Sequence, residues 1–149
     1  MHALLIGHFR DSGHELAARF FEARLQRRYG VFLSHRAEFP RSLDLKHPIG
    51  IVVGEGVKLG ERVVIFQNVT LGGARMGDLQ ASNYPEIGDD TVIFAGAVVV
   101  GKIKIGKQCI IGANSVVTRD VPDYATAAGV PARIVRLRAP SAESPESTS

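Results

Sequence analysis

All five histidines fall in the first third of the chain, at His2, His8, His14, His35 and His47. Imidazole titrates near neutral pH, so these are the first candidates for a general base. His47 is the informative one. It lies two places after Leu45 in an aliphatic rhythm, an outward position, and Pro48 and Gly50 follow it. A ring there lines a surface groove and not a core; the plain alternative is an ordinary surface histidine. Cys109, the single cysteine, takes an inward, small-residue place and reads as packing. One cysteine supplies neither a disulfide framework nor a thiolate-rich metal site. A three-imidazole zinc site is equally poorly served, because no histidine follows His47. No metal is expected.

The elements that must hold His47 follow from a period of six. Val53, Leu59, Ile65 and Leu71 recur at that spacing, and so do Ile87, Ile93, Val99, Ile105, Ile111 and Val117. Four places after these come small or aliphatic residues, among them Val57, Val63, Val69, Ala97, Cys109 and Ser115. Six fits neither the helical period nor an alternating strand. It fits a short strand, a corner and another short strand, so that three hexads close a triangular coil. Stacked coils bury their apolar edges only against one another, as in any solenoid. The expected fold is an all-β solenoid. A second register, Leu33, Phe39, Leu45 and Ile51, meets the first through a two-residue slip at Ile51–Val53. From Leu71 to Ile87 the chain takes 16 residues where two hexads need 12, so GGARMGDLQASNYPE is expected to loop out.

Three segments are expected: 1–30 as a helical cap, 31–138 as the solenoid and 139–149 as a disordered tail rich in Ser, Pro and Glu. In the cap, Ser12 and Glu15 match a capping box. Leu16, Ala17, Phe20, Phe21 and Leu25 form an apolar stripe, and Gly30 is a stop. The spacing predicts one helix over 13–29, covering the first coil. The whole chain has 149 residues, 45 % hydrophobic and 22 % charged, with net charge +3. That is one globular domain's worth. No apolar run reaches the roughly 18 residues of a membrane span, and the N-terminal apolar stretch is too short for a secretory signal. A cytoplasmic protein is expected, with a mild positive charge suited to an anionic small ligand; no nucleic-acid partner is expected.

The segments HPIGIVVGE, NVTLGG, IGANSVV and AAGVPARIV resemble the hexapeptide-repeat acyltransferases, most closely the serine acetyltransferases, over about residues 43 to 137. The resemblance implies a left-handed parallel β-helix with a short N-terminal helix, acetyl-CoA as co-substrate, and a homotrimer with each active site between two subunits. It implies that His47 is the general base for direct attack of a hydroxyl on the thioester. Gly73, Ala95 and Ala113 fill the family's positions along coenzyme A, and Thr118, Arg119, Arg133 and Arg136 fill those near its phosphates. Backbone N–H groups at Leu71–Gly73 suit the oxyanion.

Four departures bear on the acceptor. The family's large N-terminal helical domain shrinks to about 30 residues. Its orienting aspartate falls at Phe32, leaving a backbone carbonyl or Asp44 to hold the imidazole. The aspartate before the histidine becomes Lys46. An Arg-His pair becomes Asn83-Tyr84, in a loop two residues longer. Neutral Gln80, Asn83 and Tyr84 suit a sugar hydroxyl better than a zwitterion. The expected activity is O-acetylation of a carbohydrate, with free serine as the alternative acceptor and a non-catalytic module as the remaining one. Apolar outward residues, Phe66, Phe94 and Ile110, agree with the implied trimer.

Overall fold

The computed structural model describes residues 2–77 and 81–139. Gln80 and residues 140–149 of the expected tail lie outside them.

Fourteen short strands wrap the chain around three faces. The first face stacks β1 (Phe32–Leu33), β3 (Val52–Val53), β6 (Thr70–Gly72), β9 (Val98–Val100) and β12 (Val116–Val117), all parallel. The second stacks β4 (Lys58–Leu59), β7 (Glu86–Ile87) and β10 (Lys104–Ile105), extended by bridges at Glu38 and Val121. The third stacks β2 (Asp44–Leu45), β5 (Val64–Ile65), β8 (Val92–Ile93), β11 (Ile110–Ile111) and β13 (Ala125–Gly129). It ends in β14 (Ala132–Leu137), which runs antiparallel to β13.

The hexad aliphatics point inward. Leu33, Val53, Leu71 and Val99 are fully buried on the first face, and Ile65, Ile93 and Ile111 on the third. Burying each such side chain contributes about 1.5–3 kcal/mol. The residues four places on fill the corners: Val57, Val63, Val69, Ala97, Cys109 and Ser115 are fully buried. Thr91 is tolerated there because its hydroxyl donates to Gly106 O (2.8 Å) and accepts from Cys109 N–H (3.1 Å).

Outward positions divide the faces. The second carries Glu38, Lys58, Glu86 and Lys104, a solvated ladder of alternating charge. The first carries Phe32, Val52, Thr70, Val98 and Val116, and the third Val64, Val92 and Ile110, largely apolar and half-exposed.

Three expectations need correction. The excursion from Leu71 to Ile87 replaces one corner, not two hexads: β6 pairs with β3 on the first face and β7 with β4 on the second, so a single six-residue step gains ten residues. The N-terminal segment folds as two helices, α1 (His2–Asp11) and α2 (Glu15–Tyr29). Ser12 does not cap α2; its hydroxyl donates back to His8 O (2.8 Å), ending α1, and His14 is the α2 N-cap without a side-chain bond. The apolar stripe also splits. Ala18 and Leu25 are buried with Phe21 packed beside them, while Leu16 and Phe20 face out.

Candidate active site at the corner between the third and first faces

His47 lies in the turn from β2 to β3. At this corner the lower coils take six residues between inward positions, as from Ile65 to Leu71, but Leu45 to Val53 takes eight. The two added residues fall within 46–50. They leave Ile49 68 % exposed, while Ile51 takes the buried corner place held below by Val69, Ala97 and Ser115. The slip therefore lies before Ile51, not across Ile51–Val53. Left-handed backbone at His47 (φ +49) is particular to this longer turn, whereas Gly50 (φ +66) repeats the left-handed conformation of Asn68, Gly96 and Asn114 in the turns below. A Cβ at Gly50 would stand 2.3 Å from Asn68 Oδ1, so any larger residue would push that side chain aside.

The imidazole of His47 is exposed at the surface. Its ring lies 6.4 Å from that of Phe66, which stacks on Phe94 at 5.0 Å. Phe66 and Phe94 each follow an inward isoleucine on successive coils, so the corner carries one aromatic ring per rung below His47. Among the described residues no side chain hydrogen-bonds the His47 ring. Asp44 does not orient it: its carboxylate sits 2.7 Å from Lys46 Nζ. Phe32 pairs with Val52 on the first face. Asp44 and Lys46 form a half-exposed ion pair just before His47 in the chain.

Ala95 and Ala113 share this corner, in register, with Asn114 N–H donating to Ala95 O (2.9 Å). The β13–β14 hairpin reaches the same corner past Ala127, which brings Arg133, opposite Ala128, to its lower end. Arg136 pairs with Thr126, further back along the third face.

The remaining sequence candidates lie elsewhere. Gly73, Asn83 and Tyr84 belong to the excursion at the corner between the first and second faces, and Thr118 and Arg119 leave β12 at that same corner. Tyr84 anchors the returning loop: its ring fills the space above Gly56, where a Cβ would meet Tyr84 Cδ2 at 2.3 Å. The candidates thus form two groups on opposite edges of the first face. Lys46 and the Phe66–Phe94 pair were missed as site residues. The recurrence of Phe directly after an inward isoleucine was the legible signal.

Cys109 is no nucleophile. It is buried, Sγ–H donates to Pro122 O (3.1 Å), and burial pushes its thiol pKa up. Among the described residues no group of three or more His, Cys, Asp or Glu side chains converges as a metal site. No helix among them is long and apolar enough to cross a membrane.

Residues 84–119 match the family model described as bacterial transferase hexapeptide (six repeats). A serine acetyltransferase of Staphylococcus aureus (strain Mu50 / ATCC 700699) is 43 % identical over 107 residues, 72 % of this chain and 49 % of the relative. The crystal structure of serine acetyltransferase in complex with coenzyme A from Brucella abortus strain S19 superposes with TM-score 0.79 at 34 % identity, over 90 % of this chain and 52 % of that one. Soybean serine acetyltransferase complexed with serine superposes with TM-score 0.79 at 36 % identity, over 87 % and 53 %. The chain spans about half the length of the curated relatives it matches.

Proposed function

The chain belongs to the hexapeptide-repeat acyltransferases, with their left-handed parallel β-helix, and we propose that it transfers the acetyl group of acetyl-CoA to a hydroxyl oxygen with His47 as general base. The observation that carries this is the placement of an exposed imidazole on a turn with left-handed backbone, at the corner whose two lower rungs carry a column of small side chains, Ala95 and Ala113. That column leaves the corner low enough for a pantetheine arm. His47 takes the proton of the acceptor hydroxyl as its oxygen attacks the thioester carbonyl carbon. The tetrahedral oxyanion collapses, the C–S bond breaks, and the proton passes from the imidazolium to the departing thiolate. General-base help of this kind is worth about 10²–10⁴-fold.

The acceptor best supported is free serine. The relatives are serine acetyltransferases, one of them solved with serine. A zwitterion needs a charge of each sign, and the Asp44–Lys46 ion pair, which precedes His47 in the chain, would have to open to meet it. Asn83 and Tyr84 then serve as loop residues at the other edge.

The same reading includes association into a homotrimer. Each copy presents one group of site residues at either edge of an apolar first face. A closed homotrimer, in which that face is covered by a neighbour, joins the His47 corner of one copy to the Gly73, Thr118 and Arg119 corner of the next. The arginines would meet the coenzyme's phosphates. A buried, unpaired thiol fits a reducing compartment such as the cytoplasm.

Thiol release from acetyl-CoA with L-serine and a panel of sugars tests the proposal. Turnover with L-serine and background with sugars is the expected result. Turnover with sugars alone overturns the acceptor, and none with any hydroxyl overturns the activity.

A further inference from the structure

The His47 turn is the topmost of its corner, and above it lies a helix terminus in place of another coil. At the lower turns a backbone N–H donates to the turn above: Asn114 to Ala95 O at 2.9 Å, Gly96 to Gln67 O at 3.0 Å, Asn68 to Ile49 O at 2.8 Å. Gly50 holds the matching place in the His47 turn, and its N–H donates to Gly30 O at 2.9 Å. Gly30 is the left-handed C-cap of α2 (φ +64). The helix end therefore supplies the acceptor that a preceding coil would otherwise supply.

What seats α2 on the coil is partly apolar, through Ala18 and Leu25, and partly a polar clasp. Glu22 Oε2 accepts from the His35 backbone N–H at 2.8 Å and from its ring Nδ1 at 2.6 Å. Both side chains are mostly buried, 18 % and 13 % exposed. His35 lies two residues past the end of β1 and so belongs to the first coil. Its Nε2 is buried without a hydrogen bond, 3.6 Å from Glu15 Oε1, beside an open cavity of about 510 Å³ that Arg10 and Arg36 also line. Charge-assisted bonds of this kind are roughly twice as strong as neutral ones.

We propose that Glu22 and His35 are positioning residues for His47: their clasp seats α2 so that Gly30 O meets Gly50 N–H and the turn holds its imidazole toward the cleft. The inference rests on His47 being the base. It explains how a ring with no carboxylate partner is oriented: the backbone of its turn is held, and the helical cap holds that backbone.

Glu22→Ala, Glu22→Gln and His35→Ala in the full chain test this. In Glu22→Ala, kcat falls about tenfold with both KM values within about twofold, and the Gly50 amide exchanges with solvent about tenfold faster. Glu22→Gln, whose amide oxygen still accepts the His35 N–H, recovers most of both losses. A folded Glu22→Ala with unchanged kcat and Gly50 exchange overturns the proposal, as does a loss confined to KM. Should Glu22→Ala not fold, His35→Ala keeps the backbone bond and carries the same expectations at about threefold. If the wild-type chain moves no acetyl group, the base reading falls by itself, and Gly50 exchange alone decides whether the clasp holds the turn.

Discussion

His35 and His47 flank the first coil and differ in almost every respect. His35 is mostly buried, bonded through Nδ1 to Glu22, with Glu15 facing its other nitrogen. His47 is exposed, its ring lies 6.4 Å from that of Phe66, and among the described residues it has no carboxylate partner. Judged by local chemistry, His35 looks like the oriented base. Yet His35 sits under the helical cap with its Nδ1 tied to Glu22, whereas His47 stands exposed at a corner above the Phe66 ring. The lesson is that a carboxylate–histidine pair fastens as readily as it catalyses. On the proposed reading the unfastened ring of His47, and not the fastened ring of His35, is the base.

The sharpest way to break this contrast is to exchange the losses. His47→Ala should lower kcat about 10²–10⁴-fold with an unchanged thermal midpoint. His35→Ala should cost turnover far less and lower the midpoint instead. Equal losses in turnover would erase the distinction. Gly50→Ala comes next: a Cβ at φ +66, pressed on Asn68, should destabilise by about 1–3 kcal/mol and take turnover with it, read by thermal melting and thiol release. Phe66→Ala removes the ring below His47, and the edge contact is worth about 0.5–1.5 kcal/mol. A several-fold fall in kcat is expected; no change would show that the ladder is packing only. The smallest effect belongs to Cys109→Ala, which should leave turnover intact. The wild-type thiol, its pKa raised by burial, should resist an alkylating reagent at pH 8 until the chain unfolds.

The solenoid was legible because each inward residue has the same neighbours one coil above and below. A period of six in Val, Ile and Leu is therefore a direct image of the core. Where that translation fails, the reading slipped. The two residues added in the His47 turn shift the phase of everything before them, and Ile49 satisfies the pattern while standing in solvent. The excursion after Leu71 was measured correctly but divided wrongly, since length alone does not say which corner is replaced. In the helices, Leu16 and Phe20 form as good a stripe as Ala18 and Leu25; only the shape of the first coil selects the face that docks. The ion pair of Asp44 with Lys46 joins two residues flanking Leu45, a local contact that reasoning about lost family residues passed over.

The antiparallel return of β14 has a consequence beyond closing the third face. A stack of parallel rungs ends in exposed backbone donors and acceptors at the spacing the next rung requires, and a second molecule could add there and go on adding. Reversing the last strand changes the bonding pattern it offers, and Arg133, Arg136 and Arg138 load that rim with like charge. At the opposite end helices cover the first rung. The third face at one end and the first rung at the other are thereby blunted against the addition of a further rung.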